Sequence, residues 1–233
     1  MSRFLKTGLF VIGLGILILN ASVTTVKAQG PLTEILRRMD NNNKYLQSLT
    51  ANVTMVKLNS QLNEQDTTTG TTSYLPKTAG HVMYVRIDWV KPVEEKVAVI
   101  GDDYELWRPR LNQVIVGKAK QAANGAAAGN ALGFMNMSKA QLNANYEVVY
   151  LGDELVSGGI TTFHLQLTPK AATSYKSAEL WVDGDGMPRQ AKIIERNNDT
   201  TTVLLSNIKK NVTLQASLFK LEYDPKKVKK IKA

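Results

Sequence analysis

From Thr50 onward the chain keeps a period of two. The runs TANVTMVKL, TTTGTTSYL, VMYVRIDW, EKVAVIG, YELWR and NQVIVGK follow one another, separated by breakers at Pro76, Gly80, Pro92, Gly101-Asp102 and Pro109. Successive side chains of a strand point to opposite faces. In VMYVRIDW, Met83, Val85, Ile87 and Trp89 therefore share one face, and Tyr84, Arg86 and Asp88 the other. That pattern describes an antiparallel sheet with a dry side and a wet side. Strands resume later as YEVVYLG, TTFHLQLTP, SAELWVD, RQAKIIER and TTTVLLSNI, with Phe163, Leu165 and Leu167 opposed to His164 and Gln166. Asp183-Gly184-Asp185-Gly186 and Asn197-Asn198-Asp199 have the composition of hairpin turns. The sequence thus predicts a mainly β protein with helices (α+β), built on a single curled antiparallel sheet of about eleven strands. A curled sheet with one dry face must fill its interior with side chains or hold a ligand there.

Two segments break the period. In PLTEILRRMDNNNKYLQSL, Pro31 suits a first helical turn, and Leu32, Ile35, Leu36 and Met39 recur at helical spacing, continued by Leu46 and Leu49. This predicts an amphipathic helix of ~15 residues with its apolar stripe laid on the sheet. The second segment, QAANGAAAGNALGFMNMSKAQL (121–142), follows six alanines and two glycines with Leu132, Gly133, Phe134, Met135 and Met137. It is too apolar for a linker. Gly125, Gly129 and Gly133 weaken helix packing and methionines adapt to irregular shapes, so the segment reads as a pliable helical candidate interrupting the strands.

The first 28 residues read as a label. Arg3 and Lys6 precede an apolar run of 12 residues, Gly8 to Leu19, and Val26-Lys27-Ala28 resembles a signal-peptidase site. A membrane span needs ~20 apolar residues, so a cleaved signal peptide (1–28) followed by one domain (29–233) is predicted. With no cysteine, disulfides and lipid attachment at an N-terminal cysteine are excluded. Residues 29–233 carry 26 basic and 20 acidic side chains, and five of those lysines fall in DPKKVKKIKA. The tail reads as solvated, and as able to touch anionic lipid or an acidic partner. No aromatic residue interleaves its lysines, which argues against nucleic acid.

Catalytic equipment is not recognisable. His81 and His164 fall in different strands and in no metal-ligand pair, and each reads as a strand-surface or hairpin residue. There is no GxSxG elbow, P-loop or dinucleotide GxGxxG. DGDGMPRQAKIIE begins like a calcium loop, but Met187 and Ile194 occupy its fifth and twelfth positions, where ligands are needed. The expectation is a binding protein rather than an enzyme, with no metal and no cofactor.

The order of segments then carries a resemblance. A helix leads into TANVTMVKLN, TTTGTTSYLPK and VMYVRIDWVKP. Trp107-Arg108-Pro109, Leu167-Thr168-Pro169-Lys170, an Asp-Gly hairpin and a closing Phe219…Pro225 follow in that order. From about Leu32 to Pro225 the chain resembles the outer-membrane lipoprotein carrier (LolA-like) family. The resemblance implies an unclosed β-barrel with helices, the 121–142 segment among them, as a mobile lid over a hydrophobic cavity. It further implies a monomeric periplasmic carrier that takes lipoprotein acyl chains from an inner-membrane ABC transporter to an outer-membrane receptor. The same fold also implies an alternative, a periplasmic lipid-binding sensor or envelope-stress domain. One departure stands out: Leu75 occupies the place of an arginine that helps hold the family's lid closed, with Lys77 and Arg86 as candidate replacements.

On this reading acyl chains enter between the dry face and the two helical segments. The expected lining is Met83, Val85, Ile87 and Trp89, with Val97 and Val99 on the adjoining strand and Phe163, Leu165 and Leu167 across the space. Ile35, Met39, Leu132, Phe134, Met135 and Met137 complete it from the helices.

Overall fold

The computed structural model describes residues 29–119, 133 and 137–232. The signal-peptide expectation and most of the lid expectation, including Leu132, Phe134 and Met135, lie outside the described residues.

Helix α1 (Gln29–Tyr45) is followed by β1 (Leu49–Asn59), β2 (Glu64–Leu75), β3 (Tyr84–Lys91), β4 (Glu95–Ile100), β5 (Asp103–Arg108) and β6 (Gln113–Lys118). A second helix, α2 (Lys139–Asn145), precedes β7 (Tyr146–Val156), β8 (Ile160–Pro169), β9 (Tyr175–Asp183), β10 (Pro188–Glu195) and β11 (Thr200–Lys210). A short β12 (Lys229–Lys232) comes last. All twelve strands form one sheet in the order β12-β6-β5-β4-β3-β2-β1-β11-β10-β9-β8-β7. Two meanders, β1–β6 and β7–β11, are joined by the antiparallel β1–β11 ladder. The end strands β12 and β7 do not pair with each other, so the curled sheet stays an unclosed barrel.

The strand beyond the expected eleven comes from the basic tail. Its lysines stay exposed, but the backbone of Lys229–Lys232 pairs in parallel with β6, Ile231 beside Ile115. Hydropathy gave no warning, because the strand consists of three lysines and one isoleucine.

The inner face follows the period-two pattern. Leu49, Ala51, Val53 and Met55 of β1 are buried at alternate positions and continue across Val203, Leu205, Ala191, Ile193, Ala178, Leu180, Leu165 and Leu167. Helix α1 lays Ile35, Leu36 and Met39 on this surface, each at most 3 % exposed. Between β1 and β11 the face switches phase where the register slips at Thr50/Asn52 and Asn207 takes a left-handed φ of 50°. Beyond that bulge Ile208, not Asn207, packs against the core.

The Asp183–Gly186 turn fixes the helix to the sheet. A Cβ on Gly186 would lie 2.2 Å from the Arg38 carbonyl group, and its φ of +86° also favours glycine. Arg38 Nη1 donates to the Gly184 carbonyl at 2.9 Å. Asp183 holds the turn from inside, accepting from the backbone N–H groups of Asp185 and Met187 and pairing with Arg189 Nε at 2.6 Å. The resemblance to a calcium loop therefore resolves as a helix-docking turn. Helix α2 starts on a capping box between Ser138 and Gln141 and buries Leu142, while Asp40 of α1 accepts from its Lys139 N–H.

The outer face of β3–β6 is not the wet side that alternation predicts. Residues 211–228 cross it as a strap whose one 3-10 turn, Ala216–Phe219, inserts Phe219 fully buried beside Tyr84. Ala98 and Val114 are buried on the same face. Arg86 pairs with Asp88 at 2.9 Å and donates through Nη1 to the Leu218 carbonyl, which clamps the strap.

Candidate functional site: the open half of the inner face

The inner face divides into two halves. On the β8–β11 side Leu165, Leu167, Leu180 and Val203 are completely buried beneath α1. On the β3–β6 side the inner-facing residues are mostly half-buried. Register places Val85 opposite Val99, Ile87 opposite Val97, Val97 opposite Leu106, and Leu106 opposite Ile115. Of these only Ile87 is buried, at 7 % exposure, together with Trp89 at the same value. Val85, Val97, Val99, Leu106 and Ile115 keep part of their surface accessible. Tyr74 of β2 joins them opposite Val85. Burial raises the Tyr74 phenol above its ordinary pKa, as expected where the charged form would lose water. The polar end of this surface is marked by an Arg108–Glu95 ion pair at 3.0 Å.

The predicted lining residues therefore fall into three sets. Val85, Ile87, Trp89, Val97 and Val99 share the inner surface of β3 and β4, with Met83 half-buried just before β3. Phe163 and Met137, like Val85 and Val97, are partly buried against the main cluster, to which Ile87 and Trp89 themselves belong. Ile35, Met39, Leu165 and Leu167 belong to the closed half, at 2 %, 1 %, 0 % and 0 % exposure, and act there as packing. Leu132, Phe134 and Met135 are among the residues not described. The expected list omits Tyr74, Leu106 and Ile115. The alternation in YELWR and NQVIVGK contained the signal for the last two.

The latch question has a structural answer for one candidate. Leu75 ends β2 opposite Tyr84, and Arg86 is committed on the outer face to Asp88 and the strap. Arg86 therefore does not replace the family's arginine over the inner face. Lys77 lies exposed beyond β2.

Two polar features lie away from this surface. An open depression of ≈ 570 Å³ is lined mainly by Thr50, Asn52, Thr71, Ser73, Asn207 and Lys209, a set unsuited to acyl chains. His164 is more than a surface residue: its ring stacks on Trp181 at 4.2 Å, with Nδ1 2.8 Å from Glu154 and Nε2 3.4 Å from Glu179. Among the described residues no group of His, Asp and Glu could hold a metal ion, and no helix is long and apolar enough to cross a membrane.

An unclosed twelve-stranded sheet with a helix over half of its inner face defines the class of protein. Residues 46–222 match the family described as outer membrane lipoprotein carrier protein LolA, and the chain belongs to that family. An uncharacterized conserved protein from Thermus thermophilus shares the fold, with a TM-score of 0.56 at 12% identity over 87% of this chain and 99% of that one. So does a chain of the MucA/MucB complex of Pseudomonas aeruginosa, with a TM-score of 0.52 at 14% identity over 82% of this chain and 61% of that one. A search of curated protein sequences finds no match.

Proposed function

We propose that this protein is a periplasmic carrier that holds the acyl chains of a lipoprotein, or of another lipid, on the open half of its inner face. The supporting observation is the asymmetry of that face. One half is sealed by α1, while Val85, Val97, Val99, Leu106 and Ile115 form a contiguous aliphatic surface that the described helices leave partly accessible. Burying one CH₂ is worth ~0.8 kcal/mol, so an acyl chain offers on the order of 10 kcal/mol before ordering costs. Transfer then requires no catalysis, only an acceptor that binds more tightly than the carrier. On this reading the donor is an inner-membrane ABC transporter and the acceptor an outer-membrane receptor or the membrane itself. The carrier is exported by a cleaved signal peptide and works as a non-enzymatic chaperone for its cargo.

Displacement of a fluorescent fatty acid, read on the wild type and on Val97→Asp/Val99→Asp, tests the site. The double variant is expected to lose binding at least tenfold while keeping its β-sheet circular dichroism. Unchanged affinity would overturn the placement of the cargo. Mass spectrometry of protein purified from a Gram-negative host is expected to find bound lipid.

The fold shared with the MucA/MucB complex chain favours one second reading, a lipid-binding sensor that signals envelope stress through a partner protein. Lipid-dependent capture of one specific partner, without transfer of lipid to acceptor vesicles, would select it.

A further inference from the structure

The open half of the inner face runs out at one end of β3–β6, and that end has a chemistry of its own. Glu95, Arg108 and Gln113 lie two positions beyond Val97, Leu106 and Ile115 on the same face. Past them stand the tips of the β3–β4 and β5–β6 hairpins, held side by side by the Glu95–Arg108 ion pair at 3.0 Å. The basic tail reaches the same end, where the Lys229 N–H donates to the Asn112 carbonyl at 2.7 Å.

Charge here is one-sided. Residues 90–96, 108–113 and 224–229 hold seven lysines and arginines against three acids. Each acid is already paired: Glu94 with Lys96, Glu95 with Arg108 and Asp224 with Lys227. Lys91, Arg110, Lys226 and Lys229 are exposed, and their side chains have no partner among the described residues. Apolar side chains project among these cations: Val90 is 61% exposed, Val93 39% and Leu111 59%. A single exposed apolar residue needs no explanation, but three on two neighbouring tips, beside uncompensated cations, form a patch. Such a patch suits an anionic bilayer, where apolar tips enter the headgroup layer and lysine and arginine meet phosphate. A protein groove would receive a continuous apolar stripe, whereas these side chains stand out singly from turns.

We propose that the β3–β4 and β5–β6 hairpin tips dock the protein on membranes with anionic headgroups. The docked molecule then presents the end of its open aliphatic surface to the lipid. That orientation rests on the carrier reading; the docking itself does not.

Sedimentation with vesicles of phosphatidylcholine, with and without phosphatidylglycerol, tests it on the exported protein. Variants share the wild-type N-terminus, so differences report the tips. Wild type is expected to bind the anionic vesicles, roughly tenfold or more above the neutral ones, and to be released by high salt. Val90→Asp/Leu111→Asp and, separately, Lys91→Glu/Arg110→Glu should each weaken binding by roughly tenfold or more. Leu62→Asp, at the 65% exposed tip of the β1–β2 hairpin, should bind like wild type. All three should keep wild-type circular dichroism and fatty-acid displacement, because none lines the acyl surface. Wild type that ignores anionic vesicles would overturn the proposal and leave the patch to an acidic protein partner. Tip variants that bind like wild type, equal binding to neutral vesicles, or equal loss in Leu62→Asp would overturn it too. Vesicle binding without fatty-acid binding would strike the carrier reading and leave the docking surface standing.

Discussion

Asp183 is the clearest case of a residue whose role is set by what closes around it. Its carboxylate is 5% exposed as a residue, pairs with Arg189, and accepts two backbone N–H groups of the turn that receives α1. Removing one partner of a buried pair leaves the other uncompensated, so Asp183→Ala is expected to lower stability by about 3 kcal/mol in urea unfolding. Glu34 sits at the opposite extreme. It is exposed and chelated by Arg37 and Arg38 at 2.7 and 2.9 Å, and hydrogen bonds to these two, Arg37 first, lower its carboxyl from 4.5 to about 2. A depressed folded-state pKa contributes stability above the unfolded value, lost as pH falls through the folded one. The stability difference between wild type and Glu34→Gln should thus be present above pH 4.5 and vanish toward about 2. High salt should shrink it at every pH, because the pair is solvent-screened.

Among the elements, α1 and the strap cover opposite faces and should be separable. Gly186→Ala places a Cβ against the Arg38 carbonyl and must push α1 away or distort the turn. Hydrogen exchange across Ile35–Met39 is expected to rise by an order of magnitude or more, with the strap unaffected. Phe219→Ala empties a fully buried site, which generally costs about 3–5 kcal/mol. Its effect should appear as loss of exchange protection in β12 while α1 stays protected. Equal loosening of both elements in either variant would show that the two covers act as one. The α1 helix itself was legible from its i, i+3, i+4 apolar spacing. The strap was not, because its hold depends on one phenylalanine and on backbone carbonyls that Arg86 reaches from 132 positions away.

For the molecule as a whole, the sealed and open halves of one face should differ in energetic role. Leu180→Ala, in the sealed half, is expected to cost about 2–5 kcal/mol by leaving a cavity. Val97→Ala, on the half-buried surface, should cost under about 1 kcal/mol and instead weaken fatty-acid binding. A comparable stability loss for both would mean that the face is one solid core.

The local grammar stands in the sequence: strands from period-two alternation, turns from Asp, Gly and Asn, and the apolar stripe of α1. These depend on residues a few positions apart, so they are written in any short window. Tertiary structure alone decided which side of each strand is covered, and by what. Tyr84, Arg86 and Asp88 read as a wet side until the strap and Phe219 arrive from the other end of the chain. Leu165 and Val97 alternate alike, yet one lies sealed under α1 and the other half-open. A polar strand of lysines joins the sheet because β6 offers it a free backbone edge. Burial is a property of what packs on a surface, and that is fixed by contacts between residues far apart in the chain.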